Sequence, residues 1–141
     1  MTYNKVGLGS VGSYQVSGKP YCKSFASLAQ ATAGNATEIV FPAVTQWVSV
    51  VLEDGSSAVG LRIGFSQLGV EDAEGNKDYF LLYSNTTGTT GDSVVFNVKC
   101  TSLWIGSHTS TTVDNVSIMA GLTGIATDEL PNNWSGSAGV G

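Results

Sequence analysis

Residues 58–66, AVGLRIGFS, alternate cleanly: Val59, Leu61, Ile63 and Phe65 fall on one side, and Ala58, Gly60, Arg62, Gly64 and Ser66 on the other. A period of two is the mark of a half-buried β-strand, so the first set is expected to face a core and the second to face away from it. The pattern recurs. "TEIVF" (37–41) stops at Pro42, "TQWVSVVLE" (45–53) runs into Asp54-Gly55, and "YFLLYS" (79–84) is closed by the turn-rich "NTTGTTGD". Asp-Gly between alternating segments is a strong hairpin signal, which makes 58–66 the predicted partner of 45–53. "SVVFNVKCTSLWIGS" (93–107) reads as one long strand, and in 113–122 Val116, Ile118, Ala120 and Leu122 share a face. Only 24–34 offers helical spacing, through Phe25, Leu28 and Ala29, and it ends at Gly34 and reads equally as a loop. Counting "SYQVS" (13–17), the chain presents seven or eight short strands with turn chemistry between them. The predicted fold is all-β: a two-sheet antiparallel β-sandwich, wired as a jelly roll.

The ends break this pattern. "VGLGSVGSY" (6–14) and "PNNWSGSAGVG" (131–141) are rich in Gly and Ser with isolated Val, Leu, Tyr or Trp. The organisation therefore reads as an N-terminal arm (1–12), a β-sandwich domain (13–130) and a C-terminal arm (131–141). Fixing each residue of such an arm costs about 1–2 kcal/mol, and small side chains recover little of it, so the arms are expected to order against another surface. Leu8, Tyr14, Trp134 and Val140 are the candidate assembly contacts. Trp134 stands out, because a lone aromatic in a polar tail suits a pocket on a neighbouring chain.

Charge narrows the partners. Charged residues make up 12% of the chain, and six Lys and Arg against eleven Asp and Glu leave a net charge of −5. That balance opposes attraction to phosphate backbones and to anionic lipid, so neither nucleic acid nor a membrane is an expected partner. No basic, then apolar amino-terminal pattern marks a secretory signal, and no apolar run reaches the ~18 residues of a membrane helix. The chain is expected to be soluble and not secreted.

Candidate chemistry is sparse. Gly7, Gly9 and Gly12 match the spacing of a dinucleotide-binding fingerprint, but no strand precedes them, no helix has room to follow before Gly18 and Pro20, and no acid stands about 20 positions on. In a chain with 18 glycines the match is coincidental. Cys22 and Cys100 read as two buried free thiols, with a single bridge as the alternative. His108, the only histidine, sits in the polar turn "GSHTSTT" and reads as a solvated turn residue without a catalytic partner. Glu71, Asp72, Glu74, Asn76 and Asp78 form a solvated hairpin loop, with calcium binding as the minor alternative. The N-x-S/T triplets at Asn35, Asn85, Asn115 and Asn133 are expected by chance in a Ser/Thr-rich chain. Trp47, Trp104, Tyr79 and Tyr83 lie on predicted strands and read as core or inter-sheet packing rather than a sugar-stacking platform. No cofactor, metal or catalytic residue is assigned, and the chain reads as non-enzymatic.

Taken in order, "VGLGSVGSYQVSGKPY", "IVFPAVTQWVSV", "SIMAGLTGI" and the ending "NNWSGSAGVG" resemble small structural proteins of tailed bacteriophages and related environmental viruses. The resemblance covers most of the chain. It implies a virion component, a capsid decoration or head-associated β-sandwich protein. The leading expectation built on it is a protein made in the host cytoplasm that self-associates as a homotrimer and cements neighbouring capsid subunits. No catalytic residue comes with it. The alternative expectation is a carbohydrate-binding fibre or tail-tip module for host attachment.

Overall fold

The computed structural model describes residues 19–32, 34–52, 59–71, 77–84 and 92–129. Among them are eight strands: β1 (Pro20–Leu28), β2 (Thr37–Val40), β3 (Thr45–Leu52), β4 (Val59–Gly64), β5 (Phe80–Ser84), β6 (Asp92–Phe96), β7 (Ser102–Ser107) and β8 (Val113–Leu122). One helical turn, α1 (Gln67–Val70), follows β4, and a 3-10 turn spans Thr127–Glu129. Both arms, the "SYQVS" segment and the candidate contacts Leu8, Tyr14, Trp134 and Val140 lie outside the described residues.

The strands form two four-stranded antiparallel sheets, ordered β1-β8-β3-β6 and β2-β7-β4-β5, and the expected all-β sandwich is what the chain adopts. The strands pair in a nested way: first with last, second with seventh, third with sixth, fourth with fifth. Only β4 and β5 are consecutive in the chain and adjacent in a sheet. Every other connection between consecutive strands carries the chain from one sheet to the other.

Period-two patterning supplies the core. Val48, Val50 and Leu52 of β3, with Val116, Ile118 and Ala120 of β8, face Leu61 and Ile63 of β4 and Leu103 and Ile105 of β7, and all are essentially inaccessible. Phe96 closes one side of the sandwich through edge-to-face contacts with Phe65 and Phe80, at centroid distances of 6.5 and 5.4 Å.

Three sequence expectations change. The 45–53 and 58–66 segments do not pair, because β3 and β4 lie in different sheets, where each is an interior strand flanked on both sides, β3 by β8 and β6, β4 by β7 and β5. The single strand expected over 93–107 is two strands, β6 and β7, one in each sheet, joined by the irregular stretch 97–101. The helix or loop expected over 24–34 divides: 24–28 belong to the strand β1, and the described residues of 29–34 form no helix. Its helical spacing has a physical source: Asn115 in β8 sits at φ 56°, and on either side of it Val113 and Val116 both turn inward. Their partners in β1, Leu28 and Phe25, are likewise three residues apart, with Leu28 buried and Phe25 packed against the core.

Candidate functional site

The outer face of β4, expected to be open, is covered. Every residue from Val59 to Gly64 is buried. Two segments lie on that face. Residues 29–31 run alongside the end of β7, with Ala31 N donating to Ser107 O (2.8 Å) and Ser107 N to Ala29 O (2.9 Å). After β4 the chain turns at once into α1, whose N-cap is Ser66, with its hydroxyl accepting from Gly69 N at 3.2 Å. Glycines make this close approach possible. A side chain at Gly106 would run into Ala31, and one at Gly64 into Val70.

Between the two segments sits Arg62, a buried cation with only 7% of its surface exposed. Its Nη1 donates to Ala31 O and to Val70 O, each at 3.1 Å, so one guanidinium group holds both covering segments. Its Nε donates to His108 Nδ1 at 3.0 Å. That nitrogen accepts with its lone pair, so the neutral imidazole carries its proton on Nε2. The guanidinium plane lies over the Tyr79 ring, 4.6 Å from Cζ to the centroid. His108 is thus a half-buried partner of Arg62 and not the solvated turn residue expected. A second link ties the end of α1 to the stretch just before β2, with Glu71 Oε1 accepting from Ala36 N (3.2 Å) and from Gln67 Nε2 (3.0 Å).

Glu71 is therefore buried rather than solvated, and of the proposed calcium loop only it and Asp78 are described. The hydrogen bonds of Arg62 and Glu71 go to backbone carbonyls, a backbone amide and neutral side chains, which makes the cluster a clamp that seats two loops on a sheet. Sequence reading missed it because two of Arg62's partners, Ala31 and His108, lie 31 and 46 residues away in the chain. The one legible signal was an arginine set between two glycines in an otherwise apolar strand.

The aromatic residues also depart from expectation. Trp47 packs over Gly121 on the outer face of the first sheet, and Trp104, the neighbour of inward-facing Leu103 and Ile105, is half-buried on the outer face of the second. Tyr83 is 47% exposed, and with Leu81 and His108 it converges over Gly60 beside the clamp. None of these aromatic side chains fills the space between the sheets.

Both cysteines are free, Cys22 exposed and Cys100 buried, so the bridge is absent and one of the two thiols is at the surface. Burial raises the Cys100 thiol above its ordinary range, outweighing a hydrogen bond with Thr45 that lowers it. A protonated, enclosed thiol is inert. Titration with a thiol reagent at high dilution is expected to modify Cys22 alone in the folded protein and both residues in denaturant; rapid modification of both without denaturant contradicts the packing around Cys100.

Among the described residues, no helix is long and apolar enough to cross a membrane. Comparison with protein-family models finds no match, and comparison with curated proteins finds none.

Proposed function

We propose that the chain is a non-enzymatic structural protein of a virion, a capsid decoration or cement protein that self-associates and joins neighbouring capsid subunits. The nested strand order carries this reading. Pairing first with last and inward to a central hairpin supports a jelly-roll wiring, an architecture that recurs in viral capsid and lectin domains. This is an argument from fold, and the sequence resemblance to phage structural proteins points the same way. The clamp supports a non-catalytic role, since the groups most suited to chemistry hold loops in place. In this reading the arms 1–12 and 131–141 reach across to neighbouring subunits and bring Leu8, Tyr14, Trp134 and Val140 to their contacts, and repetition over a lattice multiplies weak binding.

Mapping the chain in an intact particle by electron microscopy tests the proposal. Density for the sandwich at junctions between capsid subunits, lost when residues 1–12 or 132–141 are deleted, supports it. Undiminished particle binding by both truncated forms rejects the arm mechanism.

The second reading, attachment to a host glycan, draws on one observation: Tyr83, Leu81 and His108 gather over Gly60 on an outer sheet face, the arrangement on which a sugar ring stacks. A glycan array that shows binding abolished by Tyr83→Ala favours that reading over cementing.

A further inference from the structure

The geometry points to the outer face of the β1-β8-β3-β6 sheet as the interface between two copies of this chain. The inference rests on the self-association in the reading above and is independent of its capsid partner. Cys22, Met119, Ser49 and Val95 stand side by side across the four strands, in register. They point outward, since the residues on either side of Met119 and Ser49 are buried in the core. Met119 is 46% and Val95 60% exposed, high values for apolar side chains at the centre and edge of a sheet. The row on one side holds Ser24, Ser117, Val51 and Ser93; on the other side Trp47 lies against Gly121.

None of these positions carries a charge, although the chain as a whole has a net charge of −5. Lys23, the nearest cation in β1, alternates with Cys22 and Ser24 and lies over the Phe25 ring at 5.7 Å, on the other side of the strand. This decides what the face can receive. An ion buried against it finds no partner, so the occupant must present an equally uncharged patch. Two acidic copies repel one another, and the face lets them meet without bringing charges together. A two-fold pairing sets the same patch against itself and meets both conditions, so the self-association inferred is a dimer rather than the homotrimer expected from the sequence. Four strands about 4.8 Å apart and roughly 26 Å long make a footprint of about 500 Å2, below the ~800 Å2 each partner contributes to a standard interface and suited to a weak, concentration-dependent pair. On the second sheet residues 29–31 and α1 cover the centre of the outer face, and the exposed Leu81 and Tyr83 gather with His108 over Gly60 beside the charged Arg62 clamp, so that face is not free of ions.

Sedimentation of the purified chain over a range of concentrations, with no viral component present, tests the inference separately from particle binding. Wild type is expected to self-associate, and Met119→Glu and Ser49→Lys each to weaken association about 100-fold while circular dichroism is unchanged. Val40→Glu, at a side chain 64% exposed on β2, is expected to leave association intact. A wild type that stays monomeric at every concentration overturns the inference, as does association that survives both face variants. A monomer whose Cys22 reacts with maleimide only after residues 1–18 are deleted overturns it too, by showing that the chain's own N-terminal segment occupies the face.

Discussion

Replacing Arg62 by alanine is expected to destabilise the fold by about 3–4 kcal/mol. The substitution leaves Ala31 O, Val70 O and His108 Nδ1 without their donor, and each orphaned buried acceptor costs about 1–3 kcal/mol. Loss of the stacking contact with Tyr79 adds to this. Against these losses stands a gain, because a guanidinium group no longer has to be held out of water. The net effect corresponds to a fall in Tm of roughly 10 °C for a domain of this size. Arg62→Met separates the causes. It keeps much of the apolar stem and supplies no donor, so if hydrogen bonding dominates, it behaves nearly as badly as alanine. Arg62→Lys offers a single ammonium in place of a planar fork and is expected to fall between wild type and Arg62→Met, since one point charge does not reach both carbonyls and the imidazole together. Limited proteolysis adds a local readout, with cleavage appearing first in residues 29–36 and 66–71, the segments the clamp holds. Wild-type stability in Arg62→Met is the result that removes the clamp from this account.

The clamp also shows how far sequence reading reaches. Alternation in β4 and β8 was legible because one side of each strand faces a continuous core, and burial there follows the pattern of Val59, Leu61, Ile63 and of Val116, Ile118, Ala120. Which strand pairs with which was less legible. Asp54-Gly55 announces a change of direction, but a turn signal does not name the partner, and β3 finds its neighbours in β8 and β6 far along the chain. The left-handed residue at Asn115 moved two apolar side chains of β1 to a spacing that imitates a helix. The outer face of β4 was misread for a different reason. Alternation reports only that one side differs from the other, and here the second side is buried too, beneath segments whose docking depends on Gly64, Gly106 and a single arginine. The proposed arm contacts Leu8, Tyr14, Trp134 and Val140 lie outside the described residues, and the burial of the core bears on none of them.

Thr45→Val is expected to cost about 2–4 kcal/mol, although it changes neither the shape nor the volume of the side chain appreciably. Thr45 is fully buried where β3 begins, opposite the stretch that carries the chain from β6 to β7. Its hydroxyl donates to Val98 O at 2.9 Å and accepts from Cys100 N at 3.0 Å, while its backbone N–H donates to Cys100 O at 3.1 Å. A chain leaving one sheet for the other gives up its ladder bonds on the way. At this crossing one threonine side chain replaces two of them, and so lets 97–101 turn between the sheets where the apolar alternation of 93–107 suggests an unbroken strand. Valine keeps the methyl packing but leaves Val98 O and Cys100 N unpaired in the core. Thr45→Ser retains the hydroxyl and loses only a methyl group, so it is expected to cost about 1 kcal/mol. Denaturant titration of the three proteins distinguishes the two terms, and the Cys100 thiol gives a second reading, becoming reactive in Thr45→Val before global unfolding because the segment that buries it is no longer held. Equal stability of the valine and serine variants means that packing alone fixes the crossing, and that the sheets, rather than this hydroxyl, decide where β6 ends.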